Sequence, residues 1–458
     1  MIESIGSSFR DPAGFVFKLD SEFYRAITLE AKSDFELFQS SGLYDELVKN
    51  EKILPHQETT KHPLKDVFKV IKPEQLQWIS YPYEWSFEML KQAALLTLEI
   101  QTISLKHGMS LKDASAYNIQ FHKGKPVFID TLSFEKLETG KPWVAYKQFT
   151  QHFLAPLSIM YHNDLRLNQM MRVFIDGIPL EIASSMLPAK TKLSPTLAMH
   201  IHMHAKFQKK YSSSAATGSK KAANLSMNGM LGILSQLSGY IKDLKLPEVE
   251  TEWGDYYNFT NYNDKSFQAK KDIIEGYREF LNPKSVWDLG ANRGLFSRIF
   301  SDKGIPTVAW DIDPIAVDRN YNFVVHSKET NILPLVMDLT NPSNSLGWAN
   351  LERMSLEERA PVDLVMALAL IHHISISNNV PFNKVSDYLS KLGKHLIIEF
   401  VPKGDSQVEI LLQTRVDVFN QYDQESFEKL FGANFEIIKK DSIPGTTRTL
   451  YLMKNKNF

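Results

Sequence analysis

Residues 285–296 read SVWDLGANRGLF, and no other stretch of the chain limits its fold as much. Residues 286–289 are a short apolar run carrying Asp288, which is the composition of a buried strand. Gly290 and Gly294 follow, four apart with Asn292 between them, and a helix is predicted to begin near Leu295. A chain that passes from a buried strand to a helix over so few residues must turn sharply. Gly290 and Gly294 permit positive φ at such a turn, and they lack the Cβ that would hold a ligand away. The first turn of the following helix presents N–H groups to whatever sits there. Taken alone the turn is ambiguous, because a dinucleotide phosphate would suit it equally well.

The turn opens an alternating pattern. Apolar runs fall at residues 286–289, 307–310, 333–337, 364–367 and 395–400, separated by amphipathic, helix-like sequence. That alternation predicts βαβ units and a parallel sheet. Residues 434–439 and 447–453 come last with no helix between them, and they are expected to form an antiparallel hairpin at one edge. Asp311, in AWDIDP, lies 21 residues after Gly290 at the end of the second strand. A carboxylate there can accept both ribose hydroxyls of a nucleoside, at roughly 1.5–3 kcal/mol for each charge-assisted bond. Asp338 ends the third strand, in LPLVMDLT, where it can receive an exocyclic adenine amine. Asp313 is read as the N-cap of a helix starting at Pro314. A turn cap is the alternative role for Asp288.

Together these residues resemble the class I S-adenosylmethionine-dependent methyltransferases, over about residues 250–457. The resemblance rests on VWDLGANRG, on Asp311, on Asp338 and on VDLVMALALIHHI as the fourth strand and its exit. It implies a Rossmann-like sheet, S-adenosylmethionine as cofactor, and a cofactor site made of Asp288, Gly290, Asn292, Gly294, Asp311, Ile312 and Asp338, with no metal. Asp288, Gly290 and Gly294 would form its methionine end and Asp311 would bind ribose. Methyl transfer from a sulfonium asks mainly for in-line positioning, which can supply on the order of 7–11 kcal/mol. A base is needed only for a protonated acceptor. His372 and His373 follow the fourth strand, at the ligand-binding edge of such a sheet, and are the candidate catalytic residues; packing at the strand exit is the alternative. Glu399, ending the fifth strand, is a further pocket candidate. Trp253, Tyr256, Tyr257 and Tyr262 either roof the cofactor through stacking and cation–π contact or pack a cover helix. No Asn-Pro-Pro-Tyr or Asp-Pro-Pro-Tyr follows the fourth strand, which disfavours amino methylation of adenine or glutamine.

The N-terminal half carries a second pattern. In LKDASAYNIQFHKGKPVFIDTLSF, Asp113 and Asn118 are five apart and Asp130 lies twelve further on, at a predicted strand end. This resembles the catalytic loop and metal-binding strand end of the protein-kinase and aminoglycoside-phosphotransferase fold, where one Asp is the base and an Asn and a second Asp hold magnesium. A helix over residues 89–106 and a hairpin of residues 14–19 and 23–27 suit that fold, but no Val-Ala-Ile-Lys string appears, and Arg25 is at best a substitute for its lysine. Leu111 stands where a His is usual, Thr-Leu-Ser follows Asp130 in place of Phe-Gly, and no GxGxxG loop is present. The alternative is a turn in which Asp113 and Asn118 bond to backbone. Helix is also predicted over residues 35–47, and strands over 68–71, 76–79 and 126–129. SSGLYDELV, ISYPYEWSF, LKDASAYN, FIDTLSF and QHFLAPL are similar to the two-part methyltransferases related to bacterial nodulation proteins, along most of the chain.

Composition sets the outer limits. A chain of 458 residues holds two or three domains. Residues 208–228, QKKYSSSAATGSKKAANLSMN, lack apolar periodicity and are expected to be a linker between an α+β domain at 1–207 and the methyltransferase-like domain at 250–458. Lys206, Lys209, Lys210, Lys220 and Lys221 cluster there, as a solvated tether or as a contact for an acidic partner. With 52 basic and 53 acidic residues, no bulk positive field holds a nucleic-acid backbone. The absence of Cys removes thiolate zinc sites and covalent cytosine C5 chemistry, and it suits a cytoplasmic protein. The N-terminus lacks the pattern of a secretory signal, and LVMALALIHHISI is too short to span a bilayer. The expected activity is methyl transfer to a small molecule or glycan. ATP-dependent phosphoryl transfer or ATP binding by the N-terminal half, or a non-catalytic binding role, are the alternatives.

Overall fold

The computed structural model describes residues 2–62, 64–206, 225–247, 264–413 and 416–458. The chain divides into two compact units. The first comprises residues 1–248 together with 345–353, and the second residues 249–344 and 354–458. Among the described residues no helix is long and apolar enough to cross a membrane.

The first unit begins with an antiparallel sheet of β1 (Ile2–Ser4), β2 (Gly14–Leu19), β3 (Glu22–Ile27), β4 (His56–Glu58) and β5 (Lys69–Pro73), in the order β1-β2-β3-β5-β4. The hairpin expected at residues 14–27 is β2–β3. The helix expected over 35–47 is two helices, Lys32–Ser40 and Leu43–Lys49, divided at residues 41–42. The strand expected at 76–79 does not form. Just before it, Gln75 bonds β3 through its side chain: its oxygen accepts from Phe23 N at 2.8 Å and its amide donates to Phe23 O at 3.1 Å. The helix Phe87–Lys106 starts on Ser86, whose hydroxyl accepts from Met89 N, and it is buried along most of its length. β6 (Met109–Leu111), β7 (Ile119–His122), β8 (Lys125–Phe128) and β9 (Phe134–Lys136) form two small hairpin-like sheets, β6-β9 and β7-β8.

The expected linker at 208–228 lies outside the described residues up to 224. Beyond it, Ser226 caps a helix, Met227–Asp243, that belongs to the first unit. Met230, Leu234, Leu237 and Ile241 form its buried stripe, at the spacing of one helical face. Lys91 Nζ donates to Leu244 O at 2.8 Å just past its end. Residues 345–353 also join this unit. Glu352 accepts from Arg10 Nη2 at 2.6 Å, and the Arg353 guanidinium lies 4.0 Å above the Tyr117 ring.

The second unit is built on a seven-stranded sheet of β10 (Val286–Leu289), β11 (Thr307–Asp311), β12 (Ile332–Val336), β13 (Val362–Ala367), β14 (Gly393–Phe400), β15 (Phe435–Ser442) and β16 (Thr449–Asn455). Its order is β12-β11-β10-β13-β14-β16-β15. The first five strands are parallel, and β16 and β15 close the edge as an antiparallel hairpin. This is the Rossmann-like, mostly parallel sheet of the class I methyltransferase fold. β10, β11 and β12 are buried at every position, as strands covered by helices on both faces must be. On one face Ile274 and Tyr277 of the helix Asp264–Leu281 pack with Phe300, Leu364, Met366, Ile397 and Leu452. The chain order reverses at β10, between β11 and β13, so a crevice opens beyond the carboxyl ends of β10 and β13.

Candidate active site

The crevice holds a cavity of about 390 Å³, walled by the residues that leave β10, β11, β12 and β13 and by Phe267 and Lys270. Asp288, near the end of β10, is buried and accepts from the Ser297 hydroxyl at 2.6 Å through Oδ2. Burial disfavours its charged form and pushes its pKa up to about 7. Gly290 has φ +77° and Gly294 has φ +74°. A Cβ on Gly294 would come within 2.6 Å of Asn320 Nδ2 and 2.8 Å of Arg298 Nη1, so both side-chain ends would have to shift, and the left-handed backbone there favours glycine besides. The helix expected from Leu295 does not follow at once. Residues 292–297 are turns, and a four-residue helix begins at Arg298. The positive φ of Asn292 and Gly294 winds the backbone out of the helical region over those positions.

Asp311 joins the strand ends. Its Oδ2 accepts from Asn292 N at 2.7 Å, its Oδ1 from Asp313 N at 2.9 Å, and its carbonyl oxygen from Met337 N at 2.8 Å. It is buried, and burial raises its pKa to about 6 despite the backbone donors. Asp313 is the expected cap: Oδ1 accepts from Ile315 N at 2.8 Å at the head of the helix Pro314–Ser327. Ile312, between them, lines the cavity with half its surface exposed. Asp338 follows β12, also lines the cavity, and binds Thr340 N at 2.8 Å and Thr340 Oγ1 at 2.7 Å through Oδ1.

The two histidines part company. His373 lines the cavity and His372 does not. The His372 ring is fully buried, 4.1 Å from the His373 ring centroid, and neither of its nitrogens has a hydrogen-bond partner among the described residues. Burial lowers the pKa of His373 to about 4, so its ring is neutral at pH 7. Trp253, Tyr256, Tyr257 and Tyr262 lie outside the described residues.

Glu399 belongs to a buried ionic chain beneath the site. Its Oε2 accepts from Lys270 Nζ at 2.6 Å and from Ala369 N at 2.9 Å, and its Oε1 lies 3.3 Å from Arg448 Nη1. Arg448 in turn holds both oxygens of Asp405, at 2.7 and 3.0 Å. Ala369, which lines the cavity, sits at φ +49°, a costly conformation for alanine that the Glu399 bond helps to hold. Sequence reasoning missed Lys270. Its signal was a charge in an apolar stripe: Phe267, Lys270, Ile274 and Tyr277 recur at helical spacing on the face that meets the sheet.

In the first unit, Asp113, Asn118, Asp130 and Arg25 do gather. Arg25 Nη1 lies 2.8 Å from Asp130 Oδ1 and Arg25 Nη2 2.8 Å from Asp11 Oδ2. Asp130 also accepts from Leu132 N at 2.9 Å and from the Ser133 hydroxyl at 2.6 Å, and Asn118 Nδ2 donates to that hydroxyl at 3.1 Å. Asp113 accepts from Ser115 N at 2.9 Å, and its carboxyl is raised by burial and then by Asp130. Asp130 is thus engaged by an arginine and two local donors, and among the described residues no group of three acidic or histidine side chains is arranged to hold a metal.

No family model matches the chain. The nodulation protein NoeA of Rhizobium meliloti (strain 1021) is 33% identical to it over 455 residues, spanning 98% of this chain and 95% of that protein. Among solved structures it is similar to the magnesium protoporphyrin IX methyltransferase ChlM of Synechocystis PCC 6803 with bound SAH, at 16% identity over 44% of this chain and 93% of that one, with a TM-score of 0.31. It is similar also to the N-methyltransferase NodS of Bradyrhizobium japonicum WM9, at 9% identity over 42% and 98%, with a TM-score of 0.30. The bifunctional kinase-methyltransferase WbdD matches at 17% identity over 42% of this chain and 40% of that one, with a TM-score of 0.29. Identity at that level along nearly the full length of both sequences places the chain in the family of nodulation protein NoeA, with a C-terminal unit of the class I methyltransferase fold.

Proposed function

We propose that the chain is an S-adenosylmethionine-dependent methyltransferase acting on a small molecule or glycan. The observation that carries this reading is the set of acids at three successive strand ends, Asp288, Asp311 and Asp338, all lining one cavity beside a turn whose two glycines sit in left-handed backbone. The residues present fit an adenosyl sulfonium. Asp311 can accept from ribose hydroxyls, since a carboxylate offers about four acceptor positions and its two oxygens are held in place by backbone donors. Asp338 and Ile312 suit the base, one as acceptor and one as apolar contact. The cofactor brings a methyl group on positively charged sulfur, already activated for transfer. What falls to the protein is to align the acceptor, exclude water and take up a proton where the acceptor loses one. His373 is our candidate for that proton, because it lines the cavity and its ring is neutral at pH 7.

Two measurements test the reading. Isothermal titration of the full chain with S-adenosylhomocysteine should give a heat of binding, and a flat titration of folded protein would count against the cofactor. Tritiated methyl transfer onto lysate fractions from cells lacking the protein should then label one class of acceptor. Label in a small-molecule or glycan fraction supports the proposed substrate class, and label confined to RNA or protein refutes it.

A further inference from the structure

Four buried ionisable side chains of alternating sign, Lys270, Glu399, Arg448 and Asp405, follow one another beneath the site. Arg448 is a middle link: its Nη1 lies 3.3 Å from Glu399 Oε1, and its Nε and Nη2 hold the two oxygens of Asp405 at 2.7 and 3.0 Å. Packing alone does not ask for a cation here, since replacing buried ion pairs by apolar side chains is often neutral or stabilising. What sets Arg448 apart is where its two branches end. On one side Glu399 Oε2 accepts from Ala369 N at 2.9 Å and fixes the left-handed residue at which the chain leaves β13. Leu370 follows, and its carbonyl oxygen accepts from His373 N at 3.0 Å, so the turn that bears the imidazole starts there. On the other side Asp405 Oδ1 accepts from Gln407 N at 3.0 Å and caps the helix Ser406–Leu412. That helix packs on the turn His373–Ser377, and its Leu411 lines the cavity.

We propose that Arg448 is a positioning residue for His373, setting the imidazole in the cavity from two sides: through Glu399 and Ala369, and through Asp405 and the helix it caps. The proposal rests on the methyl-transfer reading above and adds to it a residue that does not itself line the cavity. A base works only within hydrogen-bond reach of the proton it takes, and small misplacements are costly, so the turn that carries it must be held firmly. Charge-assisted bonds in a water-poor interior supply that hold. The same residue acts on the charge of the ring. Burial, and after it the positive charge of Arg448, keeps the pKa of His373 at about 4. Besides Arg448, the His372 ring faces His373 at 4.1 Å between centroids, and Glu399 and Lys270 bear on His372.

The test uses the full chain and three readings. The first is the ring signal of His373 in a nuclear magnetic resonance pH titration, identified by its loss in His373→Gln. The second is the heat of binding of S-adenosylhomocysteine, and the third is tritiated methyl transfer to the lysate fraction that the unaltered protein labels. Arg448→Gln should make His373 titrate about one pH unit or more higher, because it removes the cation that opposes the charged ring. It should lower transfer by about tenfold or more and the affinity for S-adenosylhomocysteine by no more than about threefold. Arg448→Lys keeps the charge and should bring the titration back to within about half a pH unit of the unaltered protein. Asp405→Asn keeps a helix cap and breaks the ion pair; it should lower transfer by about threefold or more at unchanged affinity, and it decides the matter if Arg448→Gln does not fold. An unmoved His373 titration in Arg448→Gln, or unchanged transfer in both variants, would overturn the proposal. So would an equal fall of transfer and affinity, which would mark Arg448 as serving the fold alone. A flat titration of the unaltered protein with S-adenosylhomocysteine would instead refute the adenosyl reading, and the His373 signal would still decide the role of Arg448.

Discussion

Asp311 is both a structural tie and a candidate ligand contact, and its replacement should reveal both roles. Asp311→Ala removes the acceptor for Asn292 N and Asp313 N as well as the proposed ribose partner. Affinity for S-adenosylhomocysteine should fall by about tenfold or more, and stability by roughly 1–3 kcal/mol for the donors left unpaired; titration and thermal unfolding would show this, and unchanged affinity would assign the ribose elsewhere. Asp288 makes the site sensitive to pH. Its carboxyl rises from 3.8 to about 7 on folding, so the folded chain keeps a proton that the unfolded chain gives up. This group's contribution to stability is full below its unfolded pKa near 4 and is lost as pH rises through about 7. On the proposed cofactor reading, which sets Asp288 at the methionine end, ligand affinity should run the opposite way, because a carboxylate holds an ammonium better than a neutral carboxyl does. Binding of S-adenosylhomocysteine should tighten from about pH 5.5 to 8, and Asp311, raised to about 6, acts in the same direction. A titration series across that range would expose a flat profile if the assignment were wrong. His373→Gln should lower methyl transfer by about 10²-fold or more and leave the affinity for S-adenosylhomocysteine unchanged, if the acceptor loses a proton in the reaction.

At the scale of elements, the strand-to-turn transition after β10 depends on its geometry more than on its sequence pattern. Gly294→Ala places a Cβ in left-handed backbone and against Asn320 and Arg298, whose guanidinium also holds Glu329 at 2.8 Å. The expected loss is about 1–3 kcal/mol of stability together with loss of ligand binding, read by calorimetry and titration. Gly276→Ala provides the contrast, because its Cβ meets open space within a helix and should stabilise by up to about 1 kcal/mol. Where periodicity was strong, as along the strands of the second unit and the helix Phe87–Lys106, the expected elements formed. Expectation failed where pairing or local conformation departed from the pattern. Residues 76–79 lie beyond the register that β5 shares with β3, and the positive φ of Asn292 and Gly294 delayed the helix expected at Leu295.

For the whole molecule, the contrast between its two units is itself testable. Saturation with S-adenosylhomocysteine at about 100 times its Kd should stabilise the protein by about 2.7 kcal/mol. Magnesium-ATP should leave the melting temperature where it is, because Asp130 is already taken by Arg25, Leu132 N and Ser133; a clear upward shift would support nucleotide binding by the first unit. The glycine turn, the acids at 288, 311 and 338 and the order of strands and helices were all legible in the residues, because each is set by local spacing and by the φ values that glycine alone adopts freely. Tertiary structure alone decided which of two adjacent histidines meets the cavity, that Glu399 braces its wall, and that Lys270 and Asp288 both line it. Those outcomes depend on contacts between residues distant in the sequence, such as Lys270 with Glu399 at 129 positions and Glu399 with Ala369 at 30, and on the burial that shifts their charges. A sequence records neither until the sheet has brought them together.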